Sequence, residues 1–380
     1  MKILILSSSY KSYATQRILK EAEKRGHEVI VLDPKKLYLY ISNSEHGYDK
    51  IYDGYYDDME SIYEREYDAV ICRVTNTDYA SFLIQHLSKN LNIYSTASAD
   101  GLRIASDKLL TQQNASINGI KIPKTILFNN AKHLEQLADK VGAYPLILKT
   151  RKGSKGIGVN LINDRNTLVS VIQTITKYEP KLILQEFIKS RVDYRAIVIG
   201  GTVVAAMKRI SATKAEFRAN LSQGGIGEKV ILTEEEQDFC VKSARMLNLD
   251  FCGVDFMKKG EENILIEVNG NPGFKIEKIT KSNIAIALIK HIEQVIDNKN
   301  TLNTECIGGN DKQLKQISKE LSQKKVELEV FTKNKVVLNA FDAFKGEIVE
   351  YTDVDGNKKT TEVKSINDVY SIIFNTLNMN

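Results

Sequence analysis

The stretch that most constrains this chain covers residues 253–273 and reads GVDFMKKGEENILIEVNGNPG. Apolar and other residues alternate on both sides of a polar segment that contains Gly260, which is typical of two β-strands joined by a turn. Pairing across this turn brings Asp255 opposite or next to Glu267, and the period of two puts Asn269 on the same face as Glu267. The stretch therefore predicts an antiparallel hairpin on which two carboxylates and an amide converge.

Two acids that face each other in a partly buried sheet repel, so one must be protonated unless a cation lies between them. Oxygen ligands from Asp, Glu and Asn suit Mg²⁺, which completes its shell with water and substrate phosphates. We therefore interpret Asp255, Glu267 and Asn269 as a candidate site for magnesium and a nucleotide. The simpler alternative is an exposed hairpin with an acidic outer face, and the turn cluster at residues 269–273 argues against it.

The composition is typical of a globular protein of two to four subdomains, with 380 residues, 42% of them hydrophobic and 27% charged. The 53 basic and 48 acidic residues are scattered, so charge does not indicate a nucleic-acid partner. The four cysteines form no C-x-x-C pair, which favours a reducing compartment. No apolar run approaches the ~20 residues of a membrane span, so we expect a cytoplasmic protein.

Four segments are expected along the chain. Alternating strand and helix patterns predict a Rossmann-like domain at residues 1–98, although the SSSY turn after the first strand lacks the glycines of a dinucleotide site. A central subdomain with a glycine-rich loop is predicted at 99–180, and a subdomain with the metal site at 181–298. Residues 299–380 are expected to form a linker and a small α+β extension.

Periodicity predicts the further elements. Surface strands or a loop are expected at 38–67, which is rich in Tyr, Asp and Glu, and Gly200-Gly201 predicts a hairpin. The expected helices lie at 78–89, 106–118, 167–176, 234–247, 282–298, 312–324 and 366–377. In the extension, strands are expected at 326–331, 336–340 and 347–363, where the DVDG sequence at 353–356 indicates a hairpin turn and not a calcium loop.

Basic residues near the glycine-rich loop are candidates for phosphate binding. The RKGSKGIG sequence at 151–158 lies between two predicted strands and matches neither a P-loop nor G-x-G-x-x-G, so it is either a phosphate-covering hairpin or an ordinary loop. Lys149 ends an apolar strand and is expected to reach water or an anion. Lys108 lies near the start of a helix, where a cation is unfavourable unless a phosphate accompanies it.

Two more stretches could contact a ligand. The end of the strand at 182–188 could offer backbone groups to an adenine and Glu186 to a ribose, or it could be an ordinary sheet edge. Arg195, Arg209 and Arg218 carry planar guanidinium groups that suit carboxylates and phosphates. The GGIG sequence at 224–227 is expected to be a mobile loop around a ligand.

Taken in order, these pieces resemble the ATP-grasp carboxylate–amine ligases, and most closely the RimK-type ligases that add glutamate to the end of a ribosomal protein. The resemblance covers residues 1–295. It implies an α/β and α+β architecture, with an ATP-grasp fold preceded by a Rossmann-like pre-ATP-grasp domain and followed by the small α+β extension. It is carried by SDKL at 106–109, Lys149, the loop at 153–159, QEFI at 185–188, Asp193 with Arg195, FRAN at 217–220, GVD at 253–255 and EVN at 267–269 with Pro272-Gly273.

The resemblance also implies roles for individual residues. Two magnesium ions, with Mn²⁺ as an expected substitute, would be held by Asp255, Glu267 and Asn269. Arg218, Asn220 and Arg209 would act in catalysis. The residues implied to bind ATP are Lys108, Lys149, Gly153, Ser154, Gly156, Gly158, Gln185, Glu186, Phe187, Ile188, Asp193 and Arg195.

The implied activity is an ATP-dependent ligation through an acyl phosphate, joining a glutamate-like amino acid to a peptide or protein, in a homo-oligomer without a nucleic-acid or membrane partner. Alternatives are amide formation on a small molecule or carrier protein, or a regulator or phosphotransferase that binds ATP without ligation. Two features depart from the family pattern: residues 209–218 are about one residue longer, and the tail after 298 has no counterpart in the family core.

Overall fold

A computed structural model describes residues 1–41, 50–54, 61–62, 66–74, 77–128, 133–153, 158–175, 182–211, 224–304, 348–352 and 358–362. The chain divides into two compact units, Met1–Ile292 and Glu293–Asn380. Among its described residues, the first unit contains three sheets of four or five strands and one two-stranded sheet.

The first sheet is parallel, with strand order β2-β1-β5-β6. Its central strand, KILILS, is buried along most of its length, which is typical of a parallel strand covered on both faces. The first helix begins at the Ser12 cap and is followed by Gly26, whose φ is +83°. The elements of this region are β1 (Lys2–Ser7), α1 (Tyr13–Lys24), β2 (Glu28–Leu32), β3 (Leu37–Tyr40), β4 (Lys50–Asp53), β5 (Ala69–Arg73), α2 (Thr77–Gln85), β6 (Tyr94–Ser95) and α3 (Ala99–Ala105).

The second sheet is antiparallel, with strand order β7-β10-β8-β9. One face packs in a separate apolar core that includes Leu146, Leu148, Leu182 and Leu184. Because side chains alternate along a strand, Lys149 lies on the opposite face. The elements are α4 (Lys108–Ile117), β7 (Thr125–Leu127), α5 (Leu134–Val141), β8 (Leu146–Thr150), β9 (Val159–Ile162), α6 (Arg165–Ile175) and β10 (Leu182–Glu186).

The third sheet is antiparallel, with strand order β13-β12-β11-β14-β15. The predicted hairpin at Gly200-Gly201 is confirmed, and so is the hairpin that contains Asp255 and Glu267. The elements are β11 (Val192–Ile199), β12 (Thr202–Ile210), β13 (Ile226–Lys229), α7 (Glu234–Arg245), β14 (Phe251–Lys259), β15 (Glu262–Asn269), α8 (Ile276–Thr280) and α9 (Ile284–Thr304).

Three predictions about these elements need correction. Ile226 and Gly227 belong to an edge strand paired with β12 and not to a mobile loop. The helix predicted at 106–118 begins at Lys108, because the Asp107 carboxylate caps it by accepting from Leu109 N. The helix predicted at 78–89 continues from Gln85 as a π-helix over His86–Asn90. Of the tyrosine-rich stretch at 38–67, the described part includes the antiparallel pair β3 and β4.

In the second unit, the described strands β16 (Ile348–Thr352) and β17 (Lys358–Glu362) pair in antiparallel fashion, which confirms the hairpin predicted within 347–363. The turn at 353–357 and the other predicted elements of the extension, at 312–324, 326–331, 336–340 and 366–377, lie outside the described residues. None of the helices described in either unit is long and apolar enough to cross a membrane.

A close backbone contact fixes α3 against the segment that follows α7. At Gly101, a Cβ would overlap the carbonyl oxygen of Leu247 and crowd the Ser98 hydroxyl. The same hydroxyl donates to the Leu247 carbonyl at 2.9 Å. Because α3 leads directly into α4, this contact sets the position of Lys108, the first residue of α4.

We predict that Gly101→Ala lowers the free energy of unfolding by about 2 kcal/mol or more, because a backbone carbonyl cannot give way as a flexible side chain can. Urea unfolding measures it. Gly273→Ala is the control, since a Cβ there meets nothing within 4 Å. Equal stability of the two variants would contradict the close packing.

Candidate nucleotide and metal site

The metal candidates lie on paired strands, as the sequence predicts. In β14 and β15, Asp255 is the register partner of Glu267, and Gly253 is the partner of Asn269. The register shifts between Asp255 and Phe256, so the irregularity falls directly beside the acid pair. The pairing brings the two carboxylates and the amide to one place on the sheet.

Asp255 is held by two arginines. Arg195 Nε donates to Asp255 Oδ1 at 2.6 Å and Arg195 Nη2 donates to Oδ2 at 2.5 Å, while Arg209 Nη2 donates to Oδ2 at 3.0 Å. Burial alone would raise the pKa of Asp255, but attraction by Arg195 and then Arg209 outweighs it and lowers that pKa to about 2. Asp255 is therefore ionised throughout the neutral range.

Arg209 extends this network to a second acid. Its Nε donates to Asp193 Oδ1 at 2.5 Å and its Nη2 donates to Asp193 Oδ2 at 2.9 Å. Arg209 is only 3% exposed. Burial raises the pKa of Asp193, and the charge of Arg209 opposes this. We call Asp193, Arg195, Arg209 and Asp255 the arginine–aspartate network.

The network adds a feature that the sequence did not predict. Two arginines supply the counter-charge of Asp255, so Asp255 is the member of the acid pair that stays ionised beside Glu267. The three donated hydrogen bonds fill three of roughly four acceptor positions on the Asp255 carboxylate. The remaining position lies on Oδ1, so a metal ion bound there would take one oxygen of Asp255.

Glu267 has a different environment from its partner. Burial raises its pKa, and repulsion by Asp255 raises it further, while the charges of Lys108, Arg195 and Lys149 oppose these effects. The Asn269 oxygen Oδ1 accepts from Asn271 N at 2.9 Å, which orients the amide. Within the described ranges, no three His, Cys, Asp or Glu residues form a metal-binding group. The candidate metal site consists of two carboxylates, Asp255 and Glu267, and the Asn269 amide as the third oxygen donor. Three oxygen donors of these types fit Mg²⁺.

Lys149 is buried, so of the two expectations for it, water or an anion, burial excludes water, and an anion remains a prediction. Its side chain is 4% exposed and lies on the β8 face away from the apolar core of the second sheet. Burial and repulsion by Lys108 lower its pKa to about 8, while Glu267 opposes the shift. Lys108, Lys149 and Glu267 therefore interact electrostatically across the space between the second and third sheets.

The glycine-rich stretch is anchored at its first residues. Lys108 Nζ donates to the Gly153 carbonyl at 2.8 Å, and Lys108 N donates to the Arg151 carbonyl at 3.0 Å. The Arg151 side chain pairs with Asp107, the cap of α4. The sequence reasoning missed this pair, although an aspartate before the helix and an arginine after β8 were visible. Ser154 and Gly156 lie outside the described residues, and Gly158, with φ of +73°, closes the hairpin by accepting from Thr150 N.

The candidate adenine segment follows an interior strand. β10 lies between β7 and β8, so the alternative of an ordinary sheet edge is wrong. Gln185 is buried and donates to the Thr125 hydroxyl at 2.8 Å. Glu186 accepts from Lys259 Nζ at 2.5 Å. Phe187 and Ile188 follow the strand end, and Arg218 and Asn220 lie outside the described residues.

Two antiparallel sheets that meet across lysines and acids, preceded by a parallel-sheet domain, define the ATP-grasp fold with its pre-ATP-grasp domain. The structure of the ATP-grasp ligase PsnB complexed with minimal precursor, Mg and ADP has this fold. It superposes with a TM-score of 0.60 at 15% identity, covering 78% of this chain and 97% of that chain.

Sequence comparisons identify the family. Residues 104–292 match the RimK-like ATP-grasp domain and residues 1–102 match the RimK PreATP-grasp domain. The chain is 35% identical over 299 residues to the probable alpha-L-glutamate ligase of Maridesulfovibrio salexigens, covering 77% of this chain and 96% of that protein. It is 34% identical over 309 residues to the protein of the same name from Hydrogenovibrio crunogenus, covering 79% of this chain and 98% of that protein.

The chain therefore belongs to the RimK-like ATP-grasp family. It is a ligase that forms C–N bonds, in a family that uses ATP and magnesium. The boundaries at 98, 180 and 298 and the roles of the individual site residues remain predictions.

We predict that ADP binding weakens as pH rises through about 8, because Lys149 loses the charge that attracts phosphate. The dissociation constant, measured by calorimetry, should rise up to about tenfold between pH 7 and pH 9. In Lys149→Met, binding should be weaker at pH 7 and this dependence should be lost.

Lys140→Met, which removes an exposed lysine of α5, is the control and should keep the wild-type pH dependence. ADP affinity that stays constant from pH 7 to pH 9 in the wild-type protein would contradict the assignment of Lys149.

Proposed function

We propose that the protein uses ATP to join a glutamate-like amino acid to a peptide or protein acceptor, through an acyl phosphate and with release of ADP and phosphate. The observation that carries this proposal is that Lys149, on β8, and Lys108, at the start of α4, lie near enough to Glu267 for their charges to oppose the rise in its pKa. Cations that bind phosphate thereby lie beside oxygen donors that suit magnesium. The names of the relatives support a glutamate substrate, and the precursor bound to PsnB supports a peptide acceptor.

In this proposal, magnesium is held by Glu267, Asn269 and the Oδ1 atom of Asp255. Bound there, the metal would neutralise phosphate charge as the γ-phosphoryl group is transferred to a carboxylate. Two ions, and replacement by Mn²⁺, remain predictions. The arginine–aspartate network keeps the Asp255 carboxylate ionised and fixed, so it is ready to bind a cation without first losing a proton.

The nucleotide would lie between the second and third sheets. Lys108 and Lys149 bind its phosphates, the stretch that includes Gly153 and Gly158 covers them, and the segment at 185–188 receives the adenine. Lys108 donates to the Gly153 carbonyl at 2.8 Å and can exchange that contact for a phosphate oxygen. This exchange would couple nucleotide binding to the position of the loop.

The second step of the proposed reaction is amide formation from the acyl phosphate. The neutral amine of the amino acid attacks the acyl carbon and the new C–N bond forms. The C–O bond to phosphate breaks, and phosphate leaves with its electron pair and takes up the proton that the nitrogen loses. Arg218 and Asn220 are proposed to stabilise the oxyanion, on the family resemblance alone. Arg209 is proposed to act through Asp255 and Asp193, since its guanidinium is buried between them. The homo-oligomer and the cytoplasmic location also remain predictions.

We predict that Glu267→Gln reduces magnesium-dependent ADP release at least about 100-fold, because the substitution removes one of the two negatively charged ligands of the proposed metal site. The thermal midpoint should not fall, since the substitution removes a partly buried charge that repels Asp255. Glu262→Gln, which changes an exposed glutamate of the same strand, is the control and should retain activity. Undiminished ADP release by the Glu267 variant would exclude the proposed site.

A mass measurement separates the alternatives. The protein is incubated with ATP, magnesium, L-glutamate and candidate peptides, and product mass is determined. A peptide mass increased by one or more glutamyl residues supports the proposal. An amide formed on a small molecule or carrier protein, or ATP turnover without any adduct, would contradict it.

We predict that deletion of residues 305–380 leaves the ADP dissociation constant within about twofold, because the proposed nucleotide site lies in the first unit and both family models match residues of that unit. Product analysis should show altered acceptor use. Loss of all nucleotide binding would show that the extension is part of the core.

A further inference from the structure

Arg73 is a partly buried cation, and no ion pair within the described part of the chain explains its position. It is the last residue of β5, and its guanidinium carbon lies 5.7 Å from the ring centroid of Phe251 and 5.4 Å from that of Phe274. Its Nε and Nη1 atoms are buried and have no hydrogen-bond partner in the described part of the chain. Aromatic rings attract the charge but cannot accept these directional hydrogen bonds as an oxygen would.

An arginine in this environment lowers stability in the absence of a ligand. Leaving buried donors unsatisfied lowers stability, and more so when the group is charged. Burial lowers the pKa of Arg73 to about 10, and only the nearby Cys72 opposes the shift. The planar guanidinium of arginine suits a carboxylate.

The place in the fold is one where α/β sheets bind ligands. In the order β2-β1-β5-β6, the chain leaves β1 towards β2 on one side, and β5 lies on the other side, so the strand order reverses between β1 and β5. Ser7 and Arg73 are register partners at the carboxyl ends of these two strands. Ligands of open parallel sheets bind outside the carboxyl ends at such a switch point.

The turn after the metal strand reaches the same place. Asn271 Nδ2 donates to the carbonyl of Val74, the residue after Arg73, at 2.7 Å, and Asn271 N donates to Asn269 Oδ1 at 2.9 Å. The Val74 carbonyl and the Asn269 oxygen are therefore no more than about 11 Å apart, given the length of one asparagine. The Asn271 oxygen Oδ1 is itself buried and lacks a hydrogen-bond partner among the described residues.

We propose that Arg73 binds a carboxylate of the incoming amino acid and that Asn271 Oδ1 accepts a hydrogen bond from its amino group. This inference rests on the proposed function and identifies where the nucleophile is held. The amine that attacks the acyl phosphate belongs to a molecule whose own carboxylates are not consumed. A carboxylate anchored at the sheet edge would direct that amine towards the metal strand, at lower entropic cost than free encounter.

The test uses Arg73→Met in the full-length protein, because methionine keeps an apolar stem against Phe251 and Phe274. The KM for L-glutamate should rise about 30-fold or more, because the variant loses a charged hydrogen-bonded pair with the substrate. The KM for ATP should stay within about twofold. The thermal midpoint should not fall, since no hydrogen bond is lost. Arg73→Lys should recover part of the affinity.

Arg103→Met is the matched control. Arg103 also lies over an aromatic ring, with its guanidinium carbon 5.0 Å from the Phe82 centroid, but its nitrogens donate to Ser81, Asp100 and Gln85. Its loss should lower the thermal midpoint and leave the KM for L-glutamate unchanged. At Arg73 we expect the reverse, a raised KM for L-glutamate with an unchanged thermal midpoint. A residue whose role is only structural would not give this result.

Substrate analogues locate the carboxylate. L-glutamine lacks the side-chain carboxylate and L-isoglutamine lacks the α-carboxylate. One of these amides should reduce wild-type kcat/KM strongly and have little further effect in Arg73→Met, because both changes remove the same interaction. A glutamate KM within twofold of the wild-type value in Arg73→Met, or independent effects of the two changes, would overturn the assignment.

The reaction of the wild-type protein tests the proposed function independently of the Arg73 site. If the wild-type protein forms no glutamyl product, calorimetry with L-glutamate in the presence of ADP and magnesium decides the inference alone. Binding that Arg73→Met weakens at least about tenfold supports the site. No binding, or equal binding by both proteins, overturns it.

Discussion

The ion pairs between Asp255 and its two arginines are the interaction on which the site depends. A buried carboxylate without partners would be protonated or displaced, and either change would remove an oxygen ligand from the metal set. Arg195 supplies two hydrogen bonds from the neighbouring strand, and Arg209 supplies a third while it also binds Asp193. The four side chains alternate in charge, so each buried ion has an opposite neighbour.

The remaining parts of the site come from regions with different cores. Lys149 lies on a sheet whose apolar side chains form a cluster of their own, whereas the core around Phe256 and Val268 is continuous with the core of the first domain. The two sides of the site therefore rest on different apolar clusters. This arrangement suits a site that must admit a nucleotide and then enclose it.

The strand period predicted the register of Asp255 and Glu267, because that register depends only on alternation and on one turn. The order of the motifs also indicated the fold. The arginine–aspartate network was not predicted, because it depends on how β11 lies between β12 and β14, and pairing of strands distant in sequence is not visible in local periodicity. For the same reason, the sequence did not show that Lys149 is buried or that β10 lies in the interior of its sheet. Arg73 gave no signal, since its aromatic neighbours are about 180–200 residues away in the chain.

A crystal structure with ADP and Mg²⁺ tests the central claim most directly. The account predicts a metal ion about 2.0–2.1 Å from oxygens of Asp255, Glu267 and Asn269, with both arginines still bound to Asp255. A structure in which ADP and magnesium are bound while these three side chains point away from the metal would contradict it.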